Sequence, residues 1–241
     1  MSALPGTALN NWSAIVLAAG GSSRFGAHKL LADLAGGPVI RRTVAGICAA
    51  GFCETIVVAG AEHSAVAASL QGLACKLVKA SNWSVGMSAS IRVGIEALRH
   101  DADGIFLFLG DMPLVPVALC EELARLAEQS GYAARPLHGD LPGHPVAFAR
   151  SAVPDLTRLS GDTGAGSLLR RSGAKIAYLP TNDEGAILDV DTPSDLARAA
   201  RHTGRRAGRR RDGEGVQRFE SRRNCGRAER ARAACAPALR D

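Results

Sequence analysis

Ser13-Ala-Ile-Val-Leu-Ala-Ala-Gly-Gly-Ser-Ser-Arg-Phe-Gly-Ala-His-Lys29 starts as a buried strand and ends as a cradle for an anion. The apolar run Ala14 to Ala19 gives way to Gly20-Gly21-Ser22-Ser23, whose small or missing side chains let backbone N–H groups approach phosphate oxygens. Arg24 then offers a planar fork able to bridge two such oxygens, and Lys29 a compact point charge. Two better-known phosphate loops are excluded by spacing. A Walker loop would need Gly-Lys-Ser/Thr where this chain has Gly26-Ala27-His28-Lys29, and the dinucleotide pattern G-x-G-x-x-G does not occur here.

Strands and helices alternate after this loop. Helical periodicity runs from Pro38 to Ala50, with Gly51 placed as a C-cap, and Glu54 to Gly60 reads as a buried strand. A second helix (Glu62 to Leu70), a third strand (Cys75 to Lys79), a third helix (Ser88 to Arg99) and a fourth strand (Gly104 to Leu109) follow. Near-continuous apolar strands separated by helices imply a parallel sheet covered on both faces. The fold expected is therefore a Rossmann-like, doubly wound, mostly parallel α/β/α domain over residues 13–200. In such sheets ligands collect beyond the carboxyl ends of the strands.

Two further loops fall at that edge. In Asn82-Trp-Ser-Val-Gly-Met-Ser-Ala-Ser90, Gly86 allows close backbone approach, and Ser88 and Ser90 offer hydroxyls to a base edge or a phosphate, although a serine here also suits a helix N-cap. Asp111-Met112-Pro113 follows the most apolar strand, so the Asp111 carboxylate points into the crevice, where it can hold Mg²⁺ shared with substrate phosphates or can cap the next helix. From Tyr132 to Arg150, prolines and glycines punctuate a hairpin ending in the strand Val146 to Ala149, with His144 just before it. A second glycine-rich loop, Leu159 to Leu168, contains Asp162. The last strand is expected at Ile187 to Asp191. Its period of two puts Asp189 and Asp191 on one face with Leu188 and Val190 opposite, and Thr192-Pro193 opens the last helix.

Charge is unevenly distributed. Of a whole-chain net charge of +6, the residues from Arg201 onward hold 13 arginines against five acids, so residues 1–200 are slightly acidic. The basic balance therefore describes a tail and gives no reason to infer nucleic-acid binding by the folded part. Residues 201–241 lack any sustained apolar period and are expected to be disordered, and residues 1–12 are expected to form a flexible N-terminus. Six cysteines without metal-ligand spacing, no signal-like N-terminus and no long apolar run point to a soluble cytoplasmic protein with no membrane partner.

Taken in order, Leu17-Ala-Ala-Gly20, Arg24, Lys29, Asn82-Trp to Ser90, Gly110-Asp-Met-Pro113, Gly143-His-Pro-Val146, Gly161-Asp-Thr-Gly-Ala165 and Asp189-Val-Asp-Thr-Pro193 resemble the molybdenum-cofactor nucleotidyltransferases. The resemblance spans about residues 12–200. Ala18-Ala19-Gly20, where the guanylyl branch usually has Ala-Gly-Gly, inclines it to the branch that moves CMP from CTP. It implies transfer to the phosphate of molybdopterin with release of pyrophosphate, and onward delivery of the product to a molybdenum hydroxylase. Arg24 and Lys29 would be catalytic. Ala18, Ala19, Gly20, Gly21, Ser22, Ser23, Gly86, Ser88 and Ser90 would hold CTP (or GTP), Asp111 and Asp191 Mg²⁺, and His144, Asp162 and Asp189 the acceptor. Phe25 replaces the family's usual Met, and Gly166 stands where relatives often have Arg, which leaves the acceptor open. Other small-molecule cytidylyltransferases and a non-catalytic cofactor carrier are the competing readings.

Overall fold

The computed structural model describes residues 9–20, 28–99, 102–161, 164–172 and 175–203. Among the described residues eight strands form one sheet: β1 (Trp12–Ala18), β2 (Glu54–Ala59), β3 (Lys76–Lys79), β4 (Gly104–Leu109), β5 (Ala133–His138), β6 (Leu141–Pro142), β7 (Val146–Ala149) and β8 (Ile176–Pro180). Helices α1 (Val39–Cys48), α2 (His63–Ser69), α3 (Met87–Glu96), α4 (Cys120–Ser130), α5 (Val153–Thr157) and α6 (Ala165–Ser172) accompany them, and residues 193–203 are helical.

The period of two in the strands decides the layering. In β1, Trp12, Ala14 and Val16 face one side, joined by Val57 and Ala59 of β2 and Phe106 and Phe108 of β4. Ile40, Val44 and Ile47 of α1 and Leu123, Ala124 and Ala127 of α4 cover that side. The alternate residues Ile15, Ile56, Val58, Ile105 and Leu107 face the other side, against Ile91 of α3, Leu156 of α5 and Leu168 and Leu169 of α6. Apolar side chains on both faces of the same strands are what a doubly covered sheet requires. The α/β sandwich read from the sequence is present.

Strands β3, β2, β1 and β4 are parallel neighbours in that order. The hairpin segment then breaks the parallel run, because β7 pairs antiparallel with both β4 and β5. Residues Ala133 and Leu137 of β5 each pair with β8 on one edge and with β7 or β6 on the other, so β6 and β7 share an edge of β5. The sheet is thus mixed but mostly parallel.

Three expectations shift. Order begins before Ser13: Leu9–Asn11 form a 3-10 turn with Leu9 buried, and Trp12, fully buried, is the first residue of β1. Residues 187–191 form no strand, since they have no ladder partner, yet their alternation survives, with Leu188 and Val190 fully buried and the two aspartates turned outward. A single backbone bond, Val190 N–H to the Asp111 carbonyl at 3.0 Å, ties this segment to the end of β4. Finally, β8 is a strand that the sequence reading did not place. Among the described residues no helix is long and apolar enough to cross a membrane.

Candidate active site

Parallel strands β1 and β4 are in register from Trp12 with Gly104 to Leu17 with Leu109, so they end at one edge. The chain leaves β1 through Ala18, Ala19 and Gly20 and leaves β4 through Gly110 and Asp111, with Gly110 N–H donating to the Leu17 carbonyl at 2.9 Å. Thr43 of α1 fixes the same edge from below. Its buried hydroxyl donates to the Gly110 carbonyl at 3.0 Å, so α1 anchors the strand end that presents Asp111.

Between these exits lies a cleft of about 420 Å³ lined by Ala18, Ala19, Gly20, Lys29, Gly86, Ser90 and Asp111. Seven of the residues expected at the site therefore meet in one place. Trp83 and Met87 also line it, from the loop preceding α3 and from the first turn of that helix. Gly86 has a φ of +128°, a conformation that favours glycine, and it turns the chain sharply into α3.

Lys29 forms the electrostatic centre. Its Nζ lies 2.6 Å from Asp111 Oδ2 and 2.6 Å from Asp191 Oδ1, joining a loop after β1, the end of β4 and the 187–191 segment. Burial disfavours the ammonium charge, but the two carboxylates overcome that penalty and hold the Lys29 pKa above its ordinary value. Asp189 is pushed in the opposite sense to most carboxyls. Partial burial raises its pKa, and the neighbouring negative charge of Asp191, with a smaller contribution from Asp111, raises it further.

The second oxygen of Asp111, Oδ1, is buried with no hydrogen-bond partner. An orphaned carboxylate oxygen beside a second carboxylate is a donor set suited to a hard divalent cation that completes its shell with phosphate oxygens and water. Among the described residues no group of three or more His, Cys, Asp or Glu side chains forms a prebuilt metal cage. The arrangement therefore suits a cation that arrives with its substrate.

Ser88 is placed differently from Ser90. Fully buried, it donates its hydroxyl to the Gly161 carbonyl at 2.6 Å and thereby ties α3 to the second glycine-rich loop; it is neither a helix N-cap nor part of the cleft wall. His144 lines an adjoining cleft of about 330 Å³ with Arg135, Ser167 and Arg170, and this cleft shares Leu17, Met87 and Leu109 with the first. Burial, reinforced by the Arg135 guanidinium, lowers the His144 pKa to about 4, so its ring is neutral near pH 7. The main chain on either side is held tightly. His144 N–H donates to the Ala186 carbonyl at 2.7 Å, and the Arg135 side chain donates to the Pro142 and Gly143 carbonyls. Gly21, Ser22, Ser23, Arg24 and Asp162 lie outside the described residues.

Sequence reasoning did not single out Trp83 as a cleft residue, nor Met87, Arg135 or Arg170. Trp83 and Met87 stood within a quoted loop without a role of their own, while the arginines belong to segments without a recognisable motif.

The chain is similar to several known proteins. The purine catabolism protein PucB of Bacillus subtilis is 30% identical over 202 residues, covering 77% of this chain and 95% of its own. The molybdenum cofactor cytidylyltransferase of Escherichia coli is 25% identical over 191 residues (77% and 93%), and a probable molybdenum cofactor guanylyltransferase of Thermococcus sibiricus 27% over 199 residues (76% and 94%). Among solved structures, Rv0371c from Mycobacterium tuberculosis superposes with a TM-score of 0.70 at 30% identity, covering 79% of this chain and 97% of that one. A manganese complex of the same protein matches with a TM-score of 0.66 at 29% identity over 79% and 98%. With residues 14–176 matching the MobA-like NTP transferase domain, the chain belongs to that family and is a nucleotidyltransferase.

Proposed function

We propose that the enzyme transfers CMP from CTP to the phosphate of molybdopterin, releasing pyrophosphate, and that the product passes to a molybdenum hydroxylase. The observation carrying this reading is the convergence of Gly20, Gly86, Ser90 and the Lys29–Asp111–Asp191 cluster on one cleft that opens into a second. A nucleotide fills the first cleft and the acceptor the second.

The backbone of Ala18 to Ser23 cradles the triphosphate, with Arg24 neutralising charge on it. Gly86 and Ser90 face the base and ribose, against the Trp83 ring. Asp111 and Asp191 would hold a divalent cation, Mg²⁺ in this reading, which would neutralise phosphate charge as pyrophosphate leaves. The acceptor phosphate attacks the α-phosphorus in line from the side of His144, with Asp189 and Asp162 assigned to the acceptor on sequence. The bond to the β-phosphate oxygen breaks as the new phosphoanhydride forms. Little covalent work falls to the protein, so alignment and charge carry the rate. Lys29 already sits among the carboxylates and is placed to follow the charge onto the departing group.

The small residues Ala18 and Ala19 and the cytidylyltransferase name of the Escherichia coli relative favour CTP. Pyrophosphate release with molybdenum-loaded molybdopterin and Mg²⁺ or Mn²⁺, comparing CTP, GTP, ATP and UTP, tests the reading. CTP-dependent release is expected, with a loss of about 100-fold or more in Asp111→Asn. A preference for GTP would move the enzyme to the guanylyl branch, and an unchanged Asp111→Asn rate would remove that residue from the mechanism.

A further inference from the structure

The acceptor cleft does not end at His144. Its floor is apolar, built from Leu17, Ile91, Leu107 and Leu109, and its far wall contains Ser167 and Arg170 of α6. The same two residues line another cleft, of about 340 Å³, whose remaining walls include Arg158, Ser160 and Arg171. Ser167 and Arg170 thus stand at a junction between an apolar compartment and a basic one.

Local structure explains the position of Arg170. It follows Gly166 by four residues, one helical turn, and its Nη1 lies 3.7 Å from where a Cβ on Gly166 would stand. The guanidinium therefore lies back along the helix toward the acceptor cleft. Arg171 and Arg158 extend the positive charge outward, Arg158 being engaged by Asp155 at 3.2 Å. No carboxylate lines either compartment among the described residues. Arg170 and Arg171, adjacent on α6 with no carboxylate lining the cleft beside them among the described residues, repel one another, and a bound anion relieves that repulsion.

We propose that the acceptor is anionic at both ends: one phosphate reacts at the nucleotide, and a second, oxyanion-like group is received by Arg170 and Arg171 beyond a ring or other apolar midsection lying on Leu17, Ile91 and Leu109. This rests on the reading that transfer runs from the first cleft to the second, and it adds the substrate's far end. Arg170 is then a specificity-determining residue remote from the reacting phosphorus.

The probe is radiolabelled molybdate, a small tetrahedral oxyanion, in equilibrium dialysis with the full chain. Expected are binding to the wild type, about ten-fold weaker binding in Arg170→Ala and in Arg171→Ala, displacement by molybdenum-loaded molybdopterin and none by CTP. In turnover, Arg170→Ala should raise the KM for molybdopterin about ten-fold with the nucleotide KM unchanged, and Arg170→Lys should recover part of the loss. Equal molybdate binding in the variants, displacement by CTP, or no displacement by molybdenum-loaded molybdopterin would each overturn the proposal. Arginine-dependent binding without any nucleotidyl transfer would sink the assigned reaction and leave this site standing, whereas transfer with arginine-independent binding would sink the site alone.

Discussion

Lys29 neutralises two carboxylates at once, and the cost of removing it follows from their burial. Its side chain is 14% exposed and that of Asp111 19%, with Asp191 more open at 38%, so an alanine at position 29 leaves the Asp111 charge facing a second carboxylate with little water to screen it. His144 carries the clearest link to pH. Its folded pKa, about 4, lies below the ordinary value of 6.5, so the unfolded chain takes up the proton first. The associated stability is complete above pH 6.5 and is lost as the pH falls toward 4. Discounted for a ring that keeps partial exposure, the effect is about 2 kcal/mol. His144→Gln should flatten the fall in stability across this window in urea titrations at successive pH values, and an unaltered slope would contradict the burial argument. Lys29 and Asp111 were legible because their signals are local: an acid at a strand end and a cation just after a glycine-rich loop. The pairing of Lys29 with Asp191, 162 positions apart, was not, because it depends on how the segment after β8 folds back.

The elements divide along the same line. β1, β2 and β4 announce themselves as apolar runs because both of their faces are buried. β8 does not: only Ile176, Ala177 and Leu179 are partly covered, Tyr178 is 45% exposed, and the strand closes on Pro180. An edge strand with so little apolar commitment has no periodic signal strong enough to separate it from loop. The 187–191 segment erred the other way. Its alternation came from packing on Leu34, Val39 and Leu114 rather than from a ladder. What positions it is a close backbone contact at Gly185, where a Cβ would stand 2.1 Å from the Leu114 carbonyl oxygen. Backbone cannot yield as a side-chain tip can, so Gly185→Ala should cost about 1–3 kcal/mol and draw Asp191 away from Lys29. Lower thermal stability together with reduced turnover is expected, and a variant with wild-type Tm would show that the contact relaxes freely.

At the scale of the molecule, the three-layer plan was legible because it needs only strand–helix alternation and apolar strands. The reversal at β7 was foreshadowed by the hairpin punctuation, but its place between β4 and β5 depends on pairing across the sheet, which no local pattern specifies. That insertion separates the parallel half, which supplies Lys29 and Asp111, from the half that supplies Arg135 and His144.

The chain has two tryptophans, and the fold gives them opposite surroundings. Trp12 is fully buried against Phe106, with ring centroids 5.3 Å apart and its indole N–H without a partner, whereas Trp83 borders the cleft that holds Lys29 and Asp111. Emission from the first reports the integrity of the sheet, and emission from the second reports occupancy of the cleft. Trp83→Phe should abolish the fluorescence change on adding CTP while preserving the red shift on unfolding; a CTP response that persists would place the base away from that ring. The protein thus contains two intrinsic optical probes, which allow folding and ligand capture to be followed separately in one unlabelled sample.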